Sequence, residues 1–216
     1  MSHAIEQRAQ TTMWRLAALS LGGVIVYVIL DILLFYLRPD LPILRHAESD
    51  YGNGPWAWIM DINFLLRCAL SLAAVAALGY ALPRSGVKWF ALALLTIWAV
   101  ASGALAFFPD DYEGAPATPH GKIHLAAAGI AFLCCLVATL LLTGVVSRFW
   151  RSQPIVWALI GAWVIAAVGF LLLILLGFRH GGLDGLYERV FLGFELLWIA
   201  LAMWRVMGAN APGETQ

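Results

Sequence analysis

Phe108-Pro109-Asp110-Asp111-Tyr112-Glu113-Gly114-Ala115-Pro116-Ala117-Thr118-Pro119-His120-Gly121-Lys122-Ile123-His124 is a polar connection between two long apolar segments. It gathers three acids and two histidines in a chain of which only 12% is charged. Thr118-Pro119 reads as a helix start. Thr offers its side-chain oxygen to free backbone N–H groups, and Pro at the first helical position has no N–H to waste. His120 and His124 then stand one turn apart on the same face of the following helix.

The rest of the chain explains why so polar a stretch stands out. Of 216 residues 62% are hydrophobic, and the mean hydropathy is +0.83. A soluble domain carries roughly a quarter charged residues and about half apolar ones. The expectation is therefore an all-α, polytopic membrane protein. A membrane-crossing helix takes roughly 20 apolar residues, and six segments qualify, which predicts a six-transmembrane-helix bundle. Thirteen basic and thirteen acidic side chains leave a net charge of zero, so nothing points to nucleic acid. Cys68, Cys134 and Cys135 lie inside apolar segments and form no cysteine framework.

Working outward, the spans are expected at about 14–37, 56–82, 87–108, from the 108–124 stretch to about 146, 155–178 and 186–207. Residues 1–13 form a cytoplasmic leader that is not cleaved, 14–207 a single membrane domain, and 208–216 a disordered cytoplasmic tail. Pro83-Arg84-Ser85-Gly86 and Ser147 to Pro154 are short, plain connections. The fifth span has no charge and reads as scaffold.

Orientation follows from Lys and Arg. One side collects Arg8, Arg15, Arg84, Lys88, Arg148, Arg151 and Arg205; the other collects Arg38, Arg45, Lys122 and Arg179. Both termini are thus expected in the cytoplasm. His46, His120, His124 and His180 then fall on the outer side, together with Asp40, Glu48, Asp50, Asp110, Asp111, Glu113 and Asp184. Asp31, Asp61 and Glu188 sit in the outer half of the membrane. An ionisable group inside a span is normally paired or functional. Arg67 and Glu195 lie at matching depth and are expected to pair. Asp31 or Asp61 is expected to pair with Arg189 or to support a histidine.

His-x-x-x-His at a helix start suits two imidazoles on one divalent metal. His120 and His124, completed by His46, Asp110, Asp111 or Asp50, would hold zinc and leave a position for water. The plainer alternative is that both histidines cap and hydrogen-bond the outer loops. Ser49-Asp50 beside His46 reads as turn chemistry before nucleophile chemistry. Gly181-Gly182 and Gly185 follow no strand and make no phosphate cradle.

His46-x-x-Ser49-Asp50-Tyr51-x-x-Gly54-Pro55-x-Ala57-Trp58, Phe107-Phe108-Pro109-x-Asp111, His120-Gly121-x-Ile123-His124, and Glu188-Arg189-x-Phe191 with Glu195-x-x-Trp198 together resemble the domain-of-unknown-function 998 family of bacterial integral membrane proteins. The resemblance implies a compact helical bundle in the bacterial inner membrane and no particular reaction. The His, Asp and Ser content is more weakly similar to intramembrane hydrolases of the ceramidase and adiponectin-receptor type. Those have seven helices, and their His-x-x-x-His lies near the last.

Three functions are consistent with these residues. The leading one is a metal-dependent hydrolase acting on a lipid headgroup, with Asp50 or Asp111 beside the metal. The second is metal-free catalysis on an isoprenoid or other lipid by the buried acids Glu188, Glu195, Asp31 and Asp61. The third is non-enzymatic binding or transport of a lipid or hydrophobic small molecule.

Overall fold

The computed structural model describes residues 2–112, 115–177 and 182–208. Glu113, Arg179, His180 and Gly181 lie outside them, as does the tail from 209. Among the described residues the chain is all-α: α1 (Ser2–Leu37), α2 (Ala57–Ala81), α3 (Gly86–Leu105), α4 (Pro119–Phe149), α5 (Gln153–Leu172) and α6 (Asp184–Gly208). All six are long and apolar enough to cross a membrane.

Helix ends follow local chemistry. α1 runs through the expected leader, because neither Pro nor Gly interrupts the chain before Gly22. α3 ends at Leu105, short of the expected 108, where turns lead into Pro109 and the residue before a proline avoids helical geometry. α4 begins as the sequence predicts: the Thr118 hydroxyl accepts the Gly121 N–H at 3.1 Å. α5 is shorter than the expected span and loosens into a π turn at Leu173–Gly177. At the start of α6 the N–H groups of Gly185 and Leu186 donate to the carbonyls of Arg45 and Leu44, which satisfies donors that a helix start leaves free.

Each helix packs on its neighbours in sequence, and α6 closes the ring against α1 while also touching α2 and α4. α4 and α5 pack least closely of the consecutive pairs. Buried alanines (Ala74, Ala77, Ala91, Ala99, Ala138, Ala202) let the backbones approach. In lipid, that close approach supplies the packing energy which water would supply to a soluble bundle. The buried indoles have partners: Trp98 donates to Ser71 Oγ and Trp198 to Thr143 Oγ1, each at 2.9 Å. Large exposed apolar side chains such as Ile25, Phe90, Ile130 and Leu171 cover the outside.

The described parts of the α1–α2, α3–α4 and α5–α6 connections meet at one end of the bundle. The remaining connections are short and lie at the other end, where Lys88 Nζ donates to the carbonyls of Gly79 and Leu82, at and just past the end of α2, at 3.1 and 3.0 Å.

Candidate functional site

The α1–α2 connection folds into the bundle end through a 3₁₀ turn, Glu48–Gly52, in which Glu48, Ser49 and Tyr51 are buried. Ser49 Oγ donates to Asp110 Oδ2 at 3.1 Å, and Asn53 Nδ2 donates to the Asp110 carbonyl at 3.2 Å. Asp110 Oδ1 accepts the Asp111 N–H at 2.9 Å. Across from Asp110 stands His124, one turn into α4 and 2% exposed. Its Nδ1 lies 2.7 Å from the Phe108 carbonyl. A carbonyl only accepts, so Nδ1 carries a proton toward it, and in the neutral form of the ring the lone pair is on Nε2. Nε2 has no hydrogen-bond partner and lies 3.8 Å from Asp110 Oδ2.

Deeper in the bundle is a second polar layer. Arg67 of α2 is 1% exposed. Its Nε donates to Ser102 Oγ at 3.2 Å and its Nη1 to the Tyr27 hydroxyl at 3.1 Å. Tyr27 in turn donates to Glu48 in a very short bond. The Glu48 N–H donates to Glu188 Oε2 at 2.9 Å. The guanidinium lies 5.0, 5.3 and 5.8 Å from the ring centroids of Trp98, Phe64 and Tyr27, within cation–π range. Behind Glu188, Arg189 Nη1 donates to the carbonyls of Ile43 and His46 at 2.8 and 2.7 Å, tying α6 to the α1–α2 connection.

Both layers open on one cavity of about 440 Å³, within the usual range for small-molecule sites. Its polar end is lined by Glu48, Ser49, Arg67, Asp110, His124, Asp184 and Glu188. Its apolar end is lined by Leu125, Phe132 and Leu133 of α4 and by Phe170, Leu173 and Ile174 at the end of α5. Leu125, Leu133 and Ile174 are also more than half exposed on the outside of the bundle. The cavity therefore opens sideways between α4 and α5, onto the surface that faces lipid.

The layout explains the motifs that link the loops to α4 and α6. A family model described as "Protein of unknown function (DUF998)" matches residues 21–205. The chain belongs to the DUF998 family. No curated protein and no solved structure matches it. Every side chain of the two polar layers lies within the DUF998 match, from Tyr27 to Arg189.

In this DUF998 chain the sequence-predicted site residues separate into groups. Asp110, His124 and Glu188 line the cavity. His46 and Asp50 pair with each other, Nδ1 to Oδ2 at 3.1 Å. Burial raises the Asp50 carboxyl above its usual range, with the His46 bond working in the opposite direction. Asp111 accepts from the N–H and hydroxyl of Thr118 at 2.9 and 2.7 Å, and those bonds hold its carboxyl below the usual range. It braces the start of α4. His120 is exposed and packs against Phe108, the rings tilted by 43° with centroids 5.6 Å apart. The two histidines of the His-x-x-x-His spacing thus have different surroundings. Among the described residues no group of three or more His, Cys, Asp or Glu side chains is placed to hold a metal.

The expected Arg67–Glu195 ion pair is not formed. Glu195 is fully buried, with Thr139 Oγ1 3.2 Å away and Cys135 Sγ 3.5 Å away, while Arg67 turns to Tyr27 and Ser102. Arg189 hydrogen-bonds to loop carbonyls, not to Asp31 or Asp61. Glu48 and Tyr27 escaped the sequence reading. Glu48 stands in a polar loop and looks solvated, and Tyr27 sits in an apolar span and looks like packing. An acid inside the turn-rich 46–55 stretch is the one local signal, and it does not reveal burial.

Proposed function

We propose that this protein binds an amphiphile taken sideways from the membrane, with its head at the Ser49–Asp110–His124 and Arg67–Glu188 layers and its tail along α4 and α5. One observation carries this: a single cavity joins a polar, titratable end to an apolar end open on the lipid-facing surface. Water excluded from such a site strengthens each polar contact with the head. The excess of Lys and Arg on the opposite loops supports cytoplasmic termini and a site facing outward, in a bacterial inner membrane.

Gly129 lies on the cavity wall, and a side chain there meets open space. Gly129→Trp should therefore fill the opening while preserving the fold. Native mass spectrometry of protein released from nanodiscs is the test. Wild type should retain a bound lipid-like molecule that Gly129→Trp lacks. Equal retention by both would defeat the proposal.

A second reading, hydrolysis of the bound lipid's headgroup at a zinc ion, is favoured by His124 Nε2, which has no hydrogen-bond partner, facing Asp110 Oδ2 at 3.8 Å. These two ligating atoms are the start of a site, and among the described residues no third protein ligand converges on them. Metal content of purified wild type beside His124→Ala decides this. Near-stoichiometric zinc lost in the variant supports the hydrolase; none in either leaves binding, with His124 as an available base.

A further inference from the structure

We infer that the head group this site takes is an ammonium bearing N–H donors, a primary or secondary amine on an apolar tail. The inference rests on the amphiphile reading and follows from counting donors and acceptors around the cavity. The Ser49 hydroxyl proton is committed to Asp110, so its oxygen faces outward as an acceptor. Each Asp110 oxygen has accepted one bond and has room for another. The His124 Nδ1 proton is committed to the Phe108 carbonyl, and the buried Nε2, without a hydrogen-bond partner on the cavity wall, is an acceptor in the neutral ring. Glu188 Oε2 has accepted the Glu48 N–H and, like other carboxyl oxygens, can accept a second bond.

The donors are fewer. The Tyr27 hydroxyl donates to Glu48. Arg67 commits two of its five N–H groups, to Ser102 and Tyr27, and its charge is enclosed by the rings of Tyr27, Phe64 and Trp98. Glu48, Asp110, Asp184 and Glu188 line the cavity against the single guanidinium of Arg67, while Arg189 stands outside the wall on backbone carbonyls. A buried surplus of acceptors, and of carboxyl groups over cations, is stabilised by a ligand that brings protons to donate and positive charge. Phe64, Phe132 and Phe170 add ring faces to the lining, which also favour a cation. A phosphate or carboxylate head would bring more acceptors to a site already rich in them.

The test uses full-length protein in nanodiscs of zwitterionic lipid, titrated with dodecylammonium, dodecyltrimethylammonium and dodecyl phosphate. The readout is the rise in thermal midpoint over that of Gly129→Trp, which subtracts simple partitioning into the lipid. Dodecylammonium should raise the wild-type midpoint by about 5 °C or more at a hundredfold excess over its dissociation constant. It should bind at least about tenfold more tightly than the other two probes, the difference expected when one charge-assisted hydrogen bond is lost. Asp110→Asn should weaken it by a similar factor. Dodecyl phosphate binding as tightly as dodecylammonium would overturn the inference and leave the cavity reading intact. The trimethyl probe binding as tightly would remove the need for N–H donors and overturn it as well. No shift with any probe would bring down the amphiphile reading itself. The wild-type series suffices even if Asp110→Asn fails to fold.

Discussion

At the residue scale, two histidines four positions apart end in opposite situations. His120 is exposed against Phe108, whereas His124 is buried, donates to the Phe108 carbonyl and faces the cavity. His124→Ala should lower the thermal midpoint, by about 1–3 kcal/mol of stability, because the carbonyl loses its donor. His120→Ala should stay within about 0.5 kcal/mol of wild type. Thermal unfolding of the two variants side by side checks this, and equal losses would contradict the assignment. Asp111 gives a pH prediction. A carboxyl held below its usual range stabilises the fold above its unfolded-state value and loses that contribution as pH falls through the folded-state value. Asp111→Asn should therefore melt below wild type by a constant margin from neutral pH down to about 4, and the margin should close only below that. Melting curves across this range decide it. Gly121 belongs to the same bracket, since a Cβ there would strike the Asp111 carboxylate. The Thr118-Pro119 helix start was legible in the sequence because capping is local. The division between the two histidines was not, because it depends on what α2 and α3 bring to each side of α4.

At the element scale, the six spans were legible and their ends less so. Length and apolarity are properties of one segment, and each helix satisfies its own backbone in lipid. Ends depend on neighbours. The first turn of α6 is held by carbonyls from residues 44 and 45, more than a hundred positions away. The fifth span read as plain scaffold, yet Phe170, Leu173 and Ile174 at its end wall the cavity. Its contact with α6 is close: a Cβ on Gly169 would come within 2.8 Å of the Phe191 nitrogen and 2.9 Å of Val190 Cγ1. Gly169→Leu should force the two helices apart and lower stability by about 1–3 kcal/mol, the usual cost of overpacking. Unfolding of the variant in the same nanodiscs measures it. A midpoint unchanged from wild type would mean that α5 yields freely, and that the wall it forms is soft.

At the scale of the whole molecule, the charge bias of the loops predicts a direction. Asp40→Cys, at the end where the site lies, should react with a membrane-impermeant maleimide on intact cells. Arg151→Cys, at the other end, should react only after the membrane is opened. The reverse pattern would turn the site to the cytoplasm. By itself the amino-acid sequence determined that this chain is a bundle of membrane-crossing helices, and which polar residues are too costly in lipid to be incidental. Both conclusions rest on transfer energies and helical rise, which each segment carries alone. Only the tertiary structure decided the partners. Arg67 and Glu195 match in depth but not in the direction each faces around the bundle, so Arg67 joins Tyr27 and Ser102 while Glu195 meets Thr139 and Cys135. Glu48 is buried because its loop folds inward over α6. Depth along a helix can be counted from the sequence, whereas rotation about its axis and the course of a loop are set by packing against other elements.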